Sequence, residues 1–301
     1  QLKSSELVLN QHNRVYHLDL APEDIAQKII LVGDPGRVST VSSFFDTITV
    51  KRENREFVTH TGLFKDEPIS VLSTGIGTDN IDIVMNELDA LVGINLENRE
   101  IKDGNSLILL RLGTSGAIHQ DAGLNDVVAG AMALGLDNVP AFYKGMNAVR
   151  EAAAEMLFYE KARWEKHLPA VYFVNADPDL LYALGKSHKQ GITVTAPGFY
   201  GPQGRALRLP LSAPDINERL AGFRYKNLAV TNYEMESSAL YALAAMMGHK
   251  ALTLCKIIAN RVTKSYNPDY KEEMKALIQS ALEGLRNYRL WDMLIMLYRT
   301  F

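Results

Sequence analysis

The sequence predicts an α/β fold in a single domain, built on a mixed or mainly parallel sheet. Two observations carry the prediction. Short β-rich runs alternate with helical patterns along most of the 301 residues, and several runs are apolar on both faces, as strands covered by helices on two sides are. No internal repeat, low-complexity segment or linker interrupts the chain, so one domain over 1–301 is expected.

The predicted strands are "IILVG" (29–33), "ISVLSTG" (69–75), "LILLRLG" (107–113), "DVVAG" (126–130), "AVYFVN" (170–175), "LAVTN" (228–232) and "ALTLCKIIA" (251–259). In "NIDIVMNELDAL", Ile81, Val84, Met85, Leu88 and Leu91 recur at helical spacing. Met235, Ala239, Ala242, Leu243 and Met246 do the same in "EMESSALYALAAMM". "PDYKEEMKALIQSALEGL" opens with Pro268 behind Asn267, a helix-start signature. An apolar extension, "RNYRLWDMLIMLYRTF" (286–301), is expected to pack on the core or on another subunit.

Composition narrows the function classes. Apolar residues are 47% and charged residues 22%, with a net charge of only −3 and no run of Lys or Arg. Neither nucleic acid nor an anionic surface is called for, and any anion site must be a local cluster. The single cysteine, Cys255, excludes an intrachain disulfide framework and fits a reducing compartment. The first twenty residues carry no signal-peptide core, and no apolar run reaches the roughly 18 residues a membrane span needs. Cytoplasm is the expected location.

Ligands of α/β sheets collect beyond the carboxyl ends of strands. "GDPGRV" (33–38) follows the first strand, where Gly33 and Gly36 admit a ligand to the backbone and Arg37 starts a helix. A Gly/Pro turn with a solvated arginine would read the same way. In "RLGTSGAI" (111–118), Arg111 ends an apolar strand, where a charge needs a partner. Gly113, Thr114, Ser115 and Gly116 then read as a small-residue turn rich in donors. "TNYEMESSAL" (231–240) puts Glu234 and Glu236 at a helix start. Thr231 with Glu234 makes a capping box, which leaves the other glutamate without a structural job. Such a carboxylate is a natural acceptor for a vicinal diol. "CKIIANR" (255–261) ends a strand with Arg261, read as holding those carboxylates. "FYGPQGRAL" (199–207) sets Gln203 two residues from Arg205 in a loop, a carboxamide beside a fork of donors.

Taken in order, "GDPGRV", "NREF" (54–57), "STGIG" (73–77), "LRLGTSGAI", "FYGPQGR" and "NYEMESSAL" resemble the nucleoside phosphorylase-I family, on its uridine-cleaving branch. The resemblance runs from "VYHLDL" (15–20) to about 261. It implies one α/β domain around a distorted mixed sheet that closes into a partial barrel. The implied reaction is reversible phosphorolysis of a pyrimidine nucleoside to base and ribose 1-phosphate, with inorganic phosphate as co-substrate and no cofactor. By the same resemblance, Gly33, Arg37, Arg111 and Thr114 bind phosphate, joined by Arg55 from a neighbouring subunit. Thr114, Met235 and Glu236 bind the ribose, Glu236 through its 2′- and 3′-hydroxyls. His17 reaches the neighbour's 5′-hydroxyl. Ser115, Gly116, Phe199, Gln203, Arg205 and Ile258 surround the base, and Glu234 and Arg261 support the site. His17 and Arg55 imply a dimer at least, with a hexamer left open.

Two departures stand out. The family's interfacial monovalent cation uses a serine where this chain has Asn80, which weakens the case for a cation between Glu56 and Asn80. The apolar C-terminal extension also runs past the family's usual end. A purine nucleoside phosphorylase is the enzymatic alternative, although "IIANR" lacks the acid that purine relatives use to protonate the base. A nucleosidase fits less well because the three phosphate arginines are present. A non-catalytic nucleoside-binding sensor is the reading outside enzymes.

Overall fold

Strands that the sequence marks by continuous Val, Ile and Leu lie at the middle of the sheet, and the polar ones lie at its edges. The computed structural model describes the backbone of residues 1–299 and the side chains of residues 1–288. In chain order the elements are β1 (Lys28–Val32), α1 (Pro35–Ser42), β2 (Thr47–Asn54), β3 (Phe57–Phe64), β4 (Glu67–Ser73), α2 (Thr78–Gly93), β5 (Ile94–Asn95), β6 (Glu100–Ile101) and β7 (Ile108–Ala117). There follow β8 (Val127–Gly135), α3 (Met146–Val149), α4 (Ala152–Lys161), β9 (Tyr172–Asn175), α5 (Pro178–Leu180), β10 (Lys189–Thr195), α6 (Ile216–Ala221) and β11 (Arg224–Tyr225). The last are β12 (Leu228–Glu234), α7 (Ser237–Met247), β13 (Lys250–Asn260), β14 (Ser265–Tyr266) and α8 (Tyr270–Arg299).

Five strands close on themselves. β12 pairs with β10 and β10 with β8, both parallel; β8 meets β13 antiparallel, β13 runs parallel to β7, and β7 returns to β12 antiparallel. From β7 the sheet continues outward through β1, β4, β3 and β2. This is the mixed sheet with a partial barrel that the sequence led us to expect. The closing contact is short: Asn232 faces Ala117 and Tyr233 faces Gly116. It joins β7 and β12 near their carboxyl ends, so loops from strands of opposite direction meet at one place.

Helices cover both sides. The predicted apolar stripe of α2, Ile81, Val84, Met85, Leu88 and Leu91, is fully buried together with Ala239, Leu240, Ala242 and Leu243 of α7. A second cluster lies around β8, β10 and β12, where Phe158 of α4 meets Phe173 and Phe223 with ring centroids 5.7 Å and 5.1 Å away. Helix α8 continues past the predicted 285 to Arg299. What the apolar extension packs against falls on side chains outside the described residues.

Candidate active site

A cavity of about 740 Å³ opens where these carboxyl ends converge. Its wall gathers Gly33 and Arg37, Arg111 with Thr114 to Gly116, Phe199, Gln203 and Arg205, Glu234 to Glu236, and Ile258. Residues from five separate stretches of sequence therefore share one space, as predicted. His17, Arg55 and Arg261 are not in the wall.

The anion end is built around Arg111, which sits inside β7 and is almost wholly buried. Its Nη2 donates to Glu236, and its Nη1 lies 3.3 Å from Glu234 Oε2. Burial alone would lower its pKa, but the two carboxylates outweigh it and hold the guanidinium charged. Nε is buried without a hydrogen-bond partner among the described residues. Arg37 enters from α1, where Asp34 caps the helix by accepting from Gly36 N at 2.9 Å. Arg37 donates to the Leu112 carbonyl at 3.2 Å. Burial, with a smaller push from Arg111 against the pull of Tyr270 and Asp34, lowers its pKa. An anion between the two arginines would relieve that repulsion.

Glu236 is the N-cap residue of α7, yet its side chain makes no cap bond. Oε1 accepts from Gly77 N at 2.8 Å and Oε2 from Arg111. Capping falls to Glu234, which accepts from the backbone N–H of Glu236 and Ser237, each at 2.9 Å to Oε2. Thr195 also donates to Glu234 Oε1. The predicted capping box is therefore wrong, because Thr231 is a residue of β12 and its hydroxyl donates to Asn232 Oδ1 at 2.8 Å. The inference it supported survives by another route: one glutamate caps, and the other faces the cavity.

A second correction concerns Gly113 to Gly116. They form no turn, since β7 runs through to Ala117 and Gly113, Thr114 and Ser115 pair with Cys255, Lys256 and Ile257. Small residues are needed there for another reason: a Cβ on Gly113 would come 2.3 Å from Arg111 Nη1. Register shifts between Ile257 and Ala259, a bulge that leaves Ile258 unpaired at the cavity wall.

At the far end Gln203 is buried while Phe199 is half exposed. Arg205 lies over the Phe199 ring at 3.8 Å and donates from Nη1 to Gln203 Oε1 at 2.8 Å. Arg261 does not hold the helix-start carboxylates, the third correction. Its Nη2 donates to the same Gln203 Oε1 at 2.7 Å and its Nη1 to the Gln203 carbonyl, while the guanidinium covers Tyr233 at 4.7 Å. Residue 261 leaves β13 on the Gln203 side of the cavity, and its backbone N–H donates to Ala117. Burial, then nearby Arg205, lowers the Arg261 pKa to about 10 against the pull of Tyr233. Tyr233 was missed by sequence reasoning; its buried hydroxyl has no hydrogen-bond partner among the described residues. No pattern in "TNYEMES" marks it, because burial alone gives it its place.

His17 and Arg55 lie together on the outer surface. Arg55, at the tip of the β2–β3 hairpin with φ 56°, stands 5.8 Å over Tyr16. His17 bonds Glu87 of α2, another residue that sequence reasoning passed over, 70 positions away. Asn80 donates to Glu56 Oε1 at 3.3 Å beside the cavity. Among the described residues, no group of three or more His, Cys, Asp or Glu stands where it could hold a metal ion.

The phosphorylase superfamily model matches residues 27–287. The chain belongs to that superfamily. A uridine phosphorylase of Thermococcus kodakarensis is 30% identical over 298 residues, 96% of this chain and 92% of that protein. A DeoD-type purine nucleoside phosphorylase of Geobacillus is also 30% identical, over 89% of this chain and 96% of its own length. Among solved structures, a Trypanosoma brucei nucleoside phosphorylase described as showing uridine phosphorylase activity superposes with a TM-score of 0.83 at 27% identity, covering 93% of this chain and 99% of that one. The superfamily assignment agrees with the ring of five strands and with the cavity at its mouth. No described helix is long and apolar enough to cross a membrane.

Proposed function

We propose that this superfamily member is a uridine phosphorylase, cleaving uridine with phosphate to uracil and ribose 1-phosphate. The observation that carries the reading is Gln203, buried with both Arg205 and Arg261 on its side-chain oxygen. That cluster suits the edge of a uracil ring. As substrate enters, Arg205 leaves Gln203 for a ring carbonyl. The freed lone pair on Oε1 accepts the imide N–H, and Nε2 donates to the adjacent carbonyl. When the glycosidic bond breaks, its electron pair passes to the base and the carbonyls gain negative charge, which these donors stabilise.

Arg37, Arg111 and Thr114 take the phosphate, completed by Arg55 of a neighbouring subunit. A phosphate oxygen attacks C1′ as the sugar becomes oxocarbenium-like. Glu236 accepts from the 2′- and 3′-hydroxyls, with Met235 beneath the ring. Phosphate is the co-substrate, no cofactor takes part, and the enzyme works in the cytoplasm as a dimer or larger oligomer. Purine phosphorolysis is the alternative that the Geobacillus relative keeps in view. Against it, "IIANR" offers no carboxylic acid to protonate a purine.

The test is ultraviolet-monitored cleavage of uridine, thymidine, inosine and adenosine, each with and without phosphate. Phosphate-dependent loss of uridine is expected. Preference for inosine or adenosine would overturn the base assignment, and cleavage without phosphate would make the enzyme a nucleosidase. Tight uridine binding without turnover would favour a sensor.

A further inference from the structure

Glu87 points its carboxylate at the segment that carries His17. It accepts from His17 N at 2.9 Å and 3.0 Å, from Leu18 N at 2.8 Å, and lies 2.6 Å from the ring Nδ1. From the other side, Asn54 donates to the His17 carbonyl at 2.8 Å. The ring is held edgewise against Tyr16 and Phe57, with centroids at 5.0 Å and 6.5 Å. The far nitrogen, Nε2, has no hydrogen-bond partner among the described residues, and the side chain is 30% exposed. A carboxylate brings no proton to such a contact, so Nδ1 is the donor. In a neutral imidazole the other nitrogen is then an acceptor.

We propose that Glu87 is a positioning residue that fixes the His17 tautomer and presents Nε2 as a hydrogen-bond acceptor to the ribose 5′-position. This rests on the reading that His17 serves a neighbouring subunit's nucleoside. It makes the 5′-group a point of selection. A hydroxyl donates to Nε2, a 5′-deoxy sugar leaves it unpaired, and a 5′-phosphate offers acceptors only while placing negative charge toward Glu87. The site therefore selects nucleosides over nucleotides without using a repulsive side chain of its own.

The experiment compares wild type with Glu87→Gln, which keeps an oxygen for the backbone N–H groups but removes the obligate acceptor at Nδ1. Histidine ¹⁵N shifts report the tautomer, with the His17 signal assigned by its loss in His17→Ala. In parallel, kcat and KM are measured for uridine and 5′-deoxyuridine. Wild type is expected to carry its His17 proton on Nδ1 and to prefer uridine roughly 10-fold, mostly through KM. In E87Q the tautomers mix and the preference falls to about 2-fold. Glu87→Asp, which retains a carboxylate, should restore part of both. A wild-type proton on Nε2, or a full preference retained in E87Q, overturns the inference even where uridine turnover is confirmed. Absence of uridine turnover by wild type would instead overturn the functional reading, and the nitrogen shifts would still decide whether Glu87 sets the tautomer.

Discussion

Replacing Glu236 with glutamine should move phosphate affinity and nucleoside turnover in opposite directions. Arg111 is buried between Glu236, on its Nη2, and Glu234, 3.3 Å from Nη1. A phosphate that takes Arg111 comes within roughly 5 Å of the Glu236 carboxylate, where two unit charges at an effective dielectric of about 20 repel by about 3 kcal/mol. Compensation by Arg37 reduces this, and tighter phosphate binding by Glu236→Gln, on the order of 10-fold, is expected without nucleoside present. Turnover goes the other way. Loss of the ionised diol acceptor should lower kcat/KM for uridine by about 10²-fold. Folding loses one charge-assisted hydrogen bond, about 1.5–3 kcal/mol. Glu234 remains as counter-charge, so the loss stays below the roughly 3–5 kcal/mol of an orphaned buried ion. Calorimetric titration with phosphate and steady-state uridine kinetics give both readings. A folded variant with unchanged or weaker phosphate affinity would refute the idea that Arg111 is shared between carboxylate and phosphate.

Arg205→Ala should depress uridine turnover far more than phosphate affinity; equal loss in kinetics and in phosphate titration would show that the 199–207 loop has been misassigned. Gly113→Ala drives a methyl into Arg111 Nη1, 2.3 Å away. The arginine is pinned by two carboxylates, so the phosphate KM should rise roughly 10-fold with about 1–3 kcal/mol of overpacking, and a wild-type KM would contradict this. Burial, then Lys51, holds His60 below its ordinary 6.5. The unfolded chain thus binds a proton that the folded chain resists, so His60 contributes stability above pH 6.5 that is lost as pH falls through and below that value. Melting curves of His60→Gln and wild type should diverge less at neutral pH than below about pH 6, and parallel curves would remove His60 from the acid sensitivity.

How far residues could be read from sequence depended on how local their surroundings are. β1, β7 and β13 were legible because strands apolar on both faces carry their burial in composition. The β2–β3 hairpin was missed: "TITVKREN" is mostly exposed on an edge, and its charges resemble a solvated loop. β10 was missed too, with Gly191 interrupting a short run at a register shift. The loops of the site were found because Gly, Pro and Arg after a strand are a local signal. Their partners were not: Arg261 reaches Gln203 across 58 positions and Glu87 reaches His17 across 70. The turn expected at Gly113 to Gly116 failed because small residues answer to close approach as well as to tight bends.

An amide has two ends that differ only by hydrogens, and a free Gln203 could offer either. With Arg261 bonded to its oxygen at 2.7 Å, the amide loses that freedom. In effect the pocket has been given a polarity. A pyrimidine whose ring nitrogen carries hydrogen matches it. Cytosine, with a bare lone pair at the same nitrogen, meets oxygen face to face, lone pair against lone pair. Keto and amino pyrimidines differ little in shape, so a side chain that never touches the substrate sorts them through the orientation it imposes on one that does.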